Sequence, residues 1–170
     1  MPSSRYDVIP FVLDKVREFN PKSILDIGIG YGKWGVLFRE YLDIWNTQTE
    51  YKNREVEIIG VEIYTKYCNP IWKAYDKIHK CDILTAKDIL KQKYDLVFMG
   101  DVIEHFTKSE GLKLLSKLKY KHIIIITPNI VSDQEAVYNN SYEIHKSQWT
   151  HSDLDYLNCH LINNQQVFYI

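Results

Sequence analysis

Ser23-Ile24-Leu25-Asp26-Ile27-Gly28-Ile29-Gly30-Tyr31-Gly32-Lys33-Trp34-Gly35 decides the reading of this chain. A short apolar run ends beside an acidic residue, four glycines follow within eight positions, and a helical pattern begins at Trp34. A strand, a Gly-rich turn and a helix in this order cradle a nucleotide-like ligand. Glycine lets the backbone turn sharply and lets a ligand lie against it with no Cβ in the way. Two frames fit. Gly30-Tyr31-Gly32-Lys33-Trp34-Gly35 satisfies the dinucleotide pattern G-x-G-x-x-G. Asp26-Ile27-Gly28-Ile29-Gly30-Tyr31-Gly32 instead sets an acid at the strand's end, two positions before the first glycine.

Outward from this stretch, helical and strand patterns alternate. Apolar residues at Val8, Phe11, Val12, Val16 and Phe19 predict a helix over 8–19, stopped by Asn20-Pro21. Further helices are expected over 34–44, 70–75, 85–90, 109–118 and 152–157. Strands are expected at 24–27, 56–61, 77–80, 94–99 and 122–127, with a closing pair at 159–162 and 166–170. The continuous apolar run at 122–127 is of the kind buried on both faces by helices. Such alternation predicts an α/β domain with a mainly parallel sheet, whose ligands collect at the carboxyl ends of the strands.

With 170 residues, 45% apolar and 25% charged, the chain reads as one globular domain over 1–170. A net charge of −1 offers no global basic field for nucleic acid. Lys108, Lys113, Lys117, Lys119 and Lys121 crowd one region and suit a solvated helix face or a local basic patch. Cys68, Cys81 and Cys159 show no zinc or redox spacing. With no apolar leader and no run long enough to span a bilayer, the expectation is a cytoplasmic protein without a membrane partner.

The second glycine frame resembles the first motif of class I S-adenosylmethionine (SAM) dependent methyltransferases, and the resemblance continues in order along the chain. Glu62 closes the strand at 56–61, where the family's acidic residue accepts hydrogen bonds from both ribose hydroxyls. Acceptor-only oxygens suit that task. Asp82 and Ile83 follow the third strand, where the family places an acid near the adenine amino group. The strand ending at Gly100 looks like the family's fourth, which ends beside the methionine part of SAM. The resemblance implies a Rossmann-like class I methyltransferase fold: a seven-stranded sheet with a closing antiparallel strand and helices on both faces. It also implies a cofactor set of Asp26, Gly28, Gly30, Gly32, Glu62, Asp82, Ile83 and Gly100. Taken singly, Asp26 also suits a turn acid, Glu62 a solvated strand end and Asp82 a helix cap.

SAM brings its own electrophile, so the protein must hold a nucleophile in line and help remove its proton. After the fourth strand comes Asp101-Val102-Ile103-Glu104-His105-Phe106. On a helical turn Asp101, Glu104 and His105 share one face. The same spacing suits a capping box at a helix start. With Thr127-Pro128-Asn129 and His145-Lys146-Ser147-Gln148-Trp149, the pattern is similar to ubiquinone-biosynthesis O-methyltransferases and small-RNA 3′-terminal 2′-O-methyltransferases. The likeness implies a divalent metal, Mn or Mg, on Asp101, Glu104, His105 and His145, with mixed carboxylate and imidazole ligands favouring Mn. It departs from the pattern at Asp101, whose arm is shorter than the Glu expected there. Without a metal, His105 or His145 serves as general base. Arg5 or Tyr6 is expected to reach the SAM carboxylate.

The polar, poorly periodic segment 130–149 is the expected substrate lid. Its Gln134, Tyr138, Tyr142, His145 and Trp149 suit an aromatic or sugar ring, or else pack on the sheet. The loop 46–55 is the other candidate for specificity. The expected function is methyl transfer to a hydroxyl of a small molecule, with an amine as the alternative acceptor. The alternatives are 2′-O-methylation of an RNA 3′ end and a SAM-binding module without turnover.

Overall fold

Successive side chains of a strand point to opposite faces of its sheet, and here both faces are apolar. The computed structural model describes residues 3–45, 51–130 and 134–170. In it β1 (Ser23–Ile27), β2 (Glu57–Val61), β3 (Lys77–His79), β4 (Lys93–Gly100) and β5 (Lys119–Pro128) run parallel. β6 (Asn158–Ile162) and β7 (Gln165–Tyr169) form an antiparallel pair, and β7 lies antiparallel to β5. The order β3-β2-β1-β4-β5-β7-β6 is the mainly parallel seven-stranded sheet with a closing antiparallel strand that the sequence implied.

Ile24, Ile58, Leu96, Ile124 and Val167 pack with α1 (Ile9–Phe19) and α2 (Lys33–Arg39) on one face. Their neighbours Leu25, Ile59, Val97, Ile125 and Phe168 pack with α3 (Lys87–Lys91) and α4 (Lys108–Lys117) on the other. Each such aliphatic side chain contributes roughly 1.5–3 kcal/mol by leaving water. α1 carries Pro10 in its first turn and ends at Asn20, left-handed with φ 44°, before Pro21.

Several elements are tighter than expected. The helix over 34–44 is α-helical only to Arg39 and continues as a widened π turn, Glu40–Ile44, with Trp45 N–H reaching Glu40 O at 2.8 Å. Buried Arg39 pairs with buried Asp43 and with Asp76, and donates to Val56 O and Ala74 O. Asp43 accepts from Glu55 N and Val56 N, which ties this turn to the amino end of β2. Residues 46–50 of the loop 46–55 lie outside the described residues. The rest feeds that amino end, at the far side of the sheet from the strands' carboxyl ends, so the described part is not a specificity loop. Segment 70–75 is a 3-10 turn, Pro70–Ala74, and another, Ile83–Thr85, precedes α3. The helix over 152–157 is reduced to a single 3-10 turn, His151–Asp153. Beyond it Leu154 leaves helical geometry at φ −133° to bury its side chain.

The capping box falls elsewhere than expected. Asp101 is left-handed at φ 55°, which breaks any helical turn through 101–105. α4 starts instead after Thr107, whose side chain accepts from Glu110 N while Glu110 accepts from Thr107 N at 2.9 Å. Lys113, Lys117, Lys119 and Lys121 are exposed, as a solvated face requires, and Lys108 pairs with Asp153. No helix among the described residues is long and apolar enough to cross a membrane.

Candidate active site

The carboxyl ends of β1, β2 and β4 open onto one cleft, lined by Gly28, Gly30, Glu62, Asp82, Ile83 and Gly100 among others. Gly28 has φ 74°, and a Cβ there would stand 2.4 Å from Val102 Cγ2, so only glycine fits. Gly30 N donates to Glu62 Oε2 at 2.9 Å, and Tyr64 N donates to Oε1 at 2.8 Å. Glu62 is therefore buried against the glycine turn and is no solvated strand end. Burial pushes its carboxyl upward, and the two amides pull the other way. Each oxygen keeps a second acceptor position for a ligand hydroxyl. Asp82 lines the cleft and also caps the turn at Ile83, accepting from Leu84 N at 2.8 Å. At Gly100 a Cβ would meet Trp34 Nε1 at 2.7 Å and Ser4 Oγ at 2.9 Å.

Asp26 and Gly32 stand outside this wall. Asp26 is buried beneath the turn and accepts from the Tyr75 hydroxyl at 2.6 Å. Tyr75 Oη in turn accepts from Gly35 N at 3.1 Å. Burial pushes the Asp26 carboxyl up to about 7, against the Tyr75 hydrogen bond. Gly32, at φ 90°, turns the chain into α2 beside Trp72.

On the other side of the cleft, ligand atoms of Glu104, His105 and His145 lie within 4.8 Å of one another. The two imidazole rings are 5.2 Å apart. His105 lines the cleft, and its Nδ1 lies 3.2 Å from Ile144 O. A carbonyl only accepts, so Nδ1 carries the proton and Nε2 keeps its lone pair. Burial lowers the His105 pKa, so the ring is neutral near pH 7. Glu104 Oε2 accepts from Thr127 Oγ1 at 3.2 Å, while buried Oε1 has no hydrogen-bond partner among the described residues. Burial, with Asp101 nearby, raises its carboxyl well above the usual range. An orphaned acceptor beside two imidazoles fits a divalent cation. Asp101 is not in this group: its left-handed backbone turns it toward Ser4, Lys33 and Gln165. The four-residue metal set is thereby corrected to three.

Segment 134–149 closes over the cleft. Lys146 N and Ser147 N both donate to Glu104 O, at 2.8 and 3.1 Å. Tyr67 Oη donates to Glu143 Oε1 at 3.0 Å and accepts from Asn140 Nδ2 at 3.1 Å. Gln134 Nε2 donates to Glu143 O at 2.7 Å. Tyr142, Glu143 and Lys146 line the cleft, whereas Tyr138 is exposed at a hairpin tip. Residues 131–133 of the expected lid lie outside the described residues. Trp149, read as a ring platform, is wholly buried. It packs on Gly111, with Nε1 donating to Ile103 O and Ser147 Oγ. Arg5 pairs with Asp7 and Tyr6 is exposed, so neither lines the cleft, but Ser3 and Lys33 do. Lys33 was legible as a cation in a helix's first turn, where the helix dipole opposes it.

No family model and no curated relative matches this sequence. Solved structures do. A candidate O-methyltransferase of Nostoc punctiforme PCC 73102 superposes at TM-score 0.65 and 15% identity, over 95% of this chain and 54% of that one. An O-methyltransferase family protein from Burkholderia thailandensis gives 0.61 and 12%, over 95% and 56%. The methyltransferase domain of bacterial CtHen1-CN gives 0.61 and 15%, over 96% of each chain. The chain has the class I methyltransferase fold. It spans about half the length of the first two neighbours and nearly all of the third. At these identities the likeness is one of fold, and within the methyltransferase fold the cleft described above lies at the strands' carboxyl ends, where ligands bind.

Proposed function

We propose that the chain is a SAM-dependent methyltransferase acting on a hydroxyl of a small molecule. One observation carries this: a glycine turn, Glu62 and Asp82 share a single cleft with the neutral imidazole of His105. Glu62 keeps free acceptor positions for the ribose hydroxyls, Asp82 and Ile83 flank the adenine, and Gly28, Gly30 and Gly100 leave room for the chain between them. Asp26 and Gly32 act through the backbone, Asp26 by fixing Tyr75 under Gly35. SAM, when bound, supplies a methyl group activated by the sulfonium. His105 offers Nε2 to an acceptor hydroxyl or to a divalent ion, with its tautomer held by Ile144 O. Glu104, His105 and His145 would hold that ion, which lowers the pKa of a neighbouring hydroxyl and orients it. Segment 134–149 excludes water and presents Tyr142 and Lys146 to the acceptor.

A second reading, 2′-O-methylation of an RNA 3′ end, draws support from the 16S rRNA methylase ArmA, which superposes at TM-score 0.55 over 96% of this chain. Salt-sensitive oligonucleotide binding separates the two readings.

The test is calorimetric titration of chelator-treated protein with S-adenosylhomocysteine, with and without Mn²⁺, followed by labelled SAM and metabolite extracts. Binding, with transfer to a hydroxyl compound, is expected. A separate Mn²⁺ heat that is lost in His145→Ala is also expected. Binding without transfer to any extract points to a module without turnover. No binding at all overturns the reading.

A further inference from the structure

Lys33 and Asp101 face each other in the cleft with their charges incompletely used. Lys33 opens α2, straight after the glycine turn, with its ammonium half-buried in the cleft wall. Its described hydrogen bond goes to a neutral acceptor, Ser4 O. It also lies over the Trp34 ring, 5.2 Å from the centroid. No described carboxylate is within salt-bridge distance of it, although Asp101 acts on it through space. A partly desolvated cation placed against the dipole of its own helix is costly unless an anion completes it.

Asp101 stands at the carboxyl end of β4 and lines the same cleft. Its Oδ1 receives the Gln165 amide at 3.1 Å, and the Ser4 hydroxyl bonds to the same carboxyl. Oδ2 is buried without any hydrogen-bond donor among the described residues. The left-handed backbone at φ 55° costs about 1 kcal/mol or more for a non-glycine residue. That strain is what aims this carboxylate here and away from the Glu104 group. Ser4 joins the two sites: it accepts Lys33 Nζ on its carbonyl and Trp34 Nε1 on Oγ, and donates its hydroxyl to Asp101.

We propose that Lys33 and Asp101 form a clamp for a zwitterion, the α-amino-acid end of the adenosyl cofactor. Lys33 takes the carboxylate and Asp101 Oδ2 takes the ammonium. This rests on the adenosyl reading above. It assigns Asp101 to cofactor selection where the sequence pattern assigned it to a metal. The clamp also makes the cleft select an amino-acid tail over a bare adenosine.

Calorimetry with four ligands tests the clamp and keeps its failure apart from that of the parent reading. The ligands are S-adenosylhomocysteine, the 3-aminopropyl thioether of adenosine (no carboxylate), the 3-carboxypropyl thioether (no amine) and 5′-methylthioadenosine (neither). Lys33→Met is expected to weaken S-adenosylhomocysteine roughly 10–100-fold while leaving the aminopropyl ligand unchanged. Asp101→Asn is expected to weaken S-adenosylhomocysteine similarly and leave the carboxypropyl ligand unchanged. Lys33→Arg, which keeps the charge, is expected to restore most of the affinity and guards against a misfolded Met variant. If wild-type protein binds 5′-methylthioadenosine as tightly as S-adenosylhomocysteine, or if each variant weakens all four ligands equally, the clamp is wrong and the adenosine cleft stands. If none of the four binds, the methyltransferase reading falls and the clamp falls with it.

Discussion

The Tyr75 hydroxyl joins two buried groups, and Tyr75→Phe exposes what that junction is worth. The substitution removes a hydrogen bond to Asp26 at 2.6 Å, worth roughly 1.5–3 kcal/mol when the acceptor is charged. It also orphans the Gly35 amide, now 3.1 Å from Oη, at roughly 1–3 kcal/mol. About 3–5 kcal/mol of lost stability is expected where Asp26 is ionised. The pH dependence makes the reasoning refutable. Burial lifts the Asp26 carboxyl from 3.8 to about 7 in the folded protein. Between those values the unfolded chain holds fewer protons than the folded one. Stability therefore falls as pH rises from about 4 to about 7 and levels off beyond. The Tyr75 bond favours the ionised form, so its loss costs more at about pH 8 than at about pH 5, and the decline extends to higher pH in the variant. Urea unfolding of both proteins at the two pH values measures this, with Asp26→Asn as the control that flattens the profile. A loss equal at both, or under about 1 kcal/mol, refutes the assignment.

Three further outcomes are expected. Gly111→Ala sets a Cβ 2.5 Å from Trp149 Cζ2 and should cost roughly 1–3 kcal/mol, read by thermal unfolding. Glu62→Ala frees the Gly30 amide and removes the ribose acceptor, so S-adenosylhomocysteine affinity should drop roughly 10–100-fold in calorimetry while the fold persists by circular dichroism. Tyr67→Phe cuts the hydroxyl from Glu143 and Asn140, and hydrogen exchange over residues 140–147 should quicken with the core strands unchanged.

The sheet was legible because its signal is local. Apolar runs such as Ile123 to Ile126 need no partner to be recognised, and the glycines of the first turn announce a close approach whatever approaches. The mistakes share the opposite character. Asp101 and Glu104 have the spacing of a cap, and only the left-handed backbone at Asp101 gives that role to Thr107 and Glu110 instead. Trp149 sits in a polar segment that reads as surface, yet Gly111 leaves a socket for it in α4, and nothing near either residue shows the match. Asp26 carries the motif's acid, but its partner Tyr75 is 49 residues away and lies in a stretch read as an isolated helix. Lys33 was printed within the deciding stretch itself. The glycines around it set the frame, and its charge passed as a surface residue.

The hydrogen bonds from Lys146 and Ser147 to the Glu104 carbonyl, with the one between His105 and Ile144, make the covering segment and the turn beneath it a single mechanical part. A segment hung on those carbonyls is no interchangeable cassette. Grafting another enzyme's acceptor-facing loop here would withdraw the bonds that hold the His105 tautomer and the Glu104 backbone. An attempt to change what this protein modifies would thus also alter how it does so. The variable surface open to engineering is the Val137–Asn140 hairpin tip, where Tyr138 stands clear of that framework.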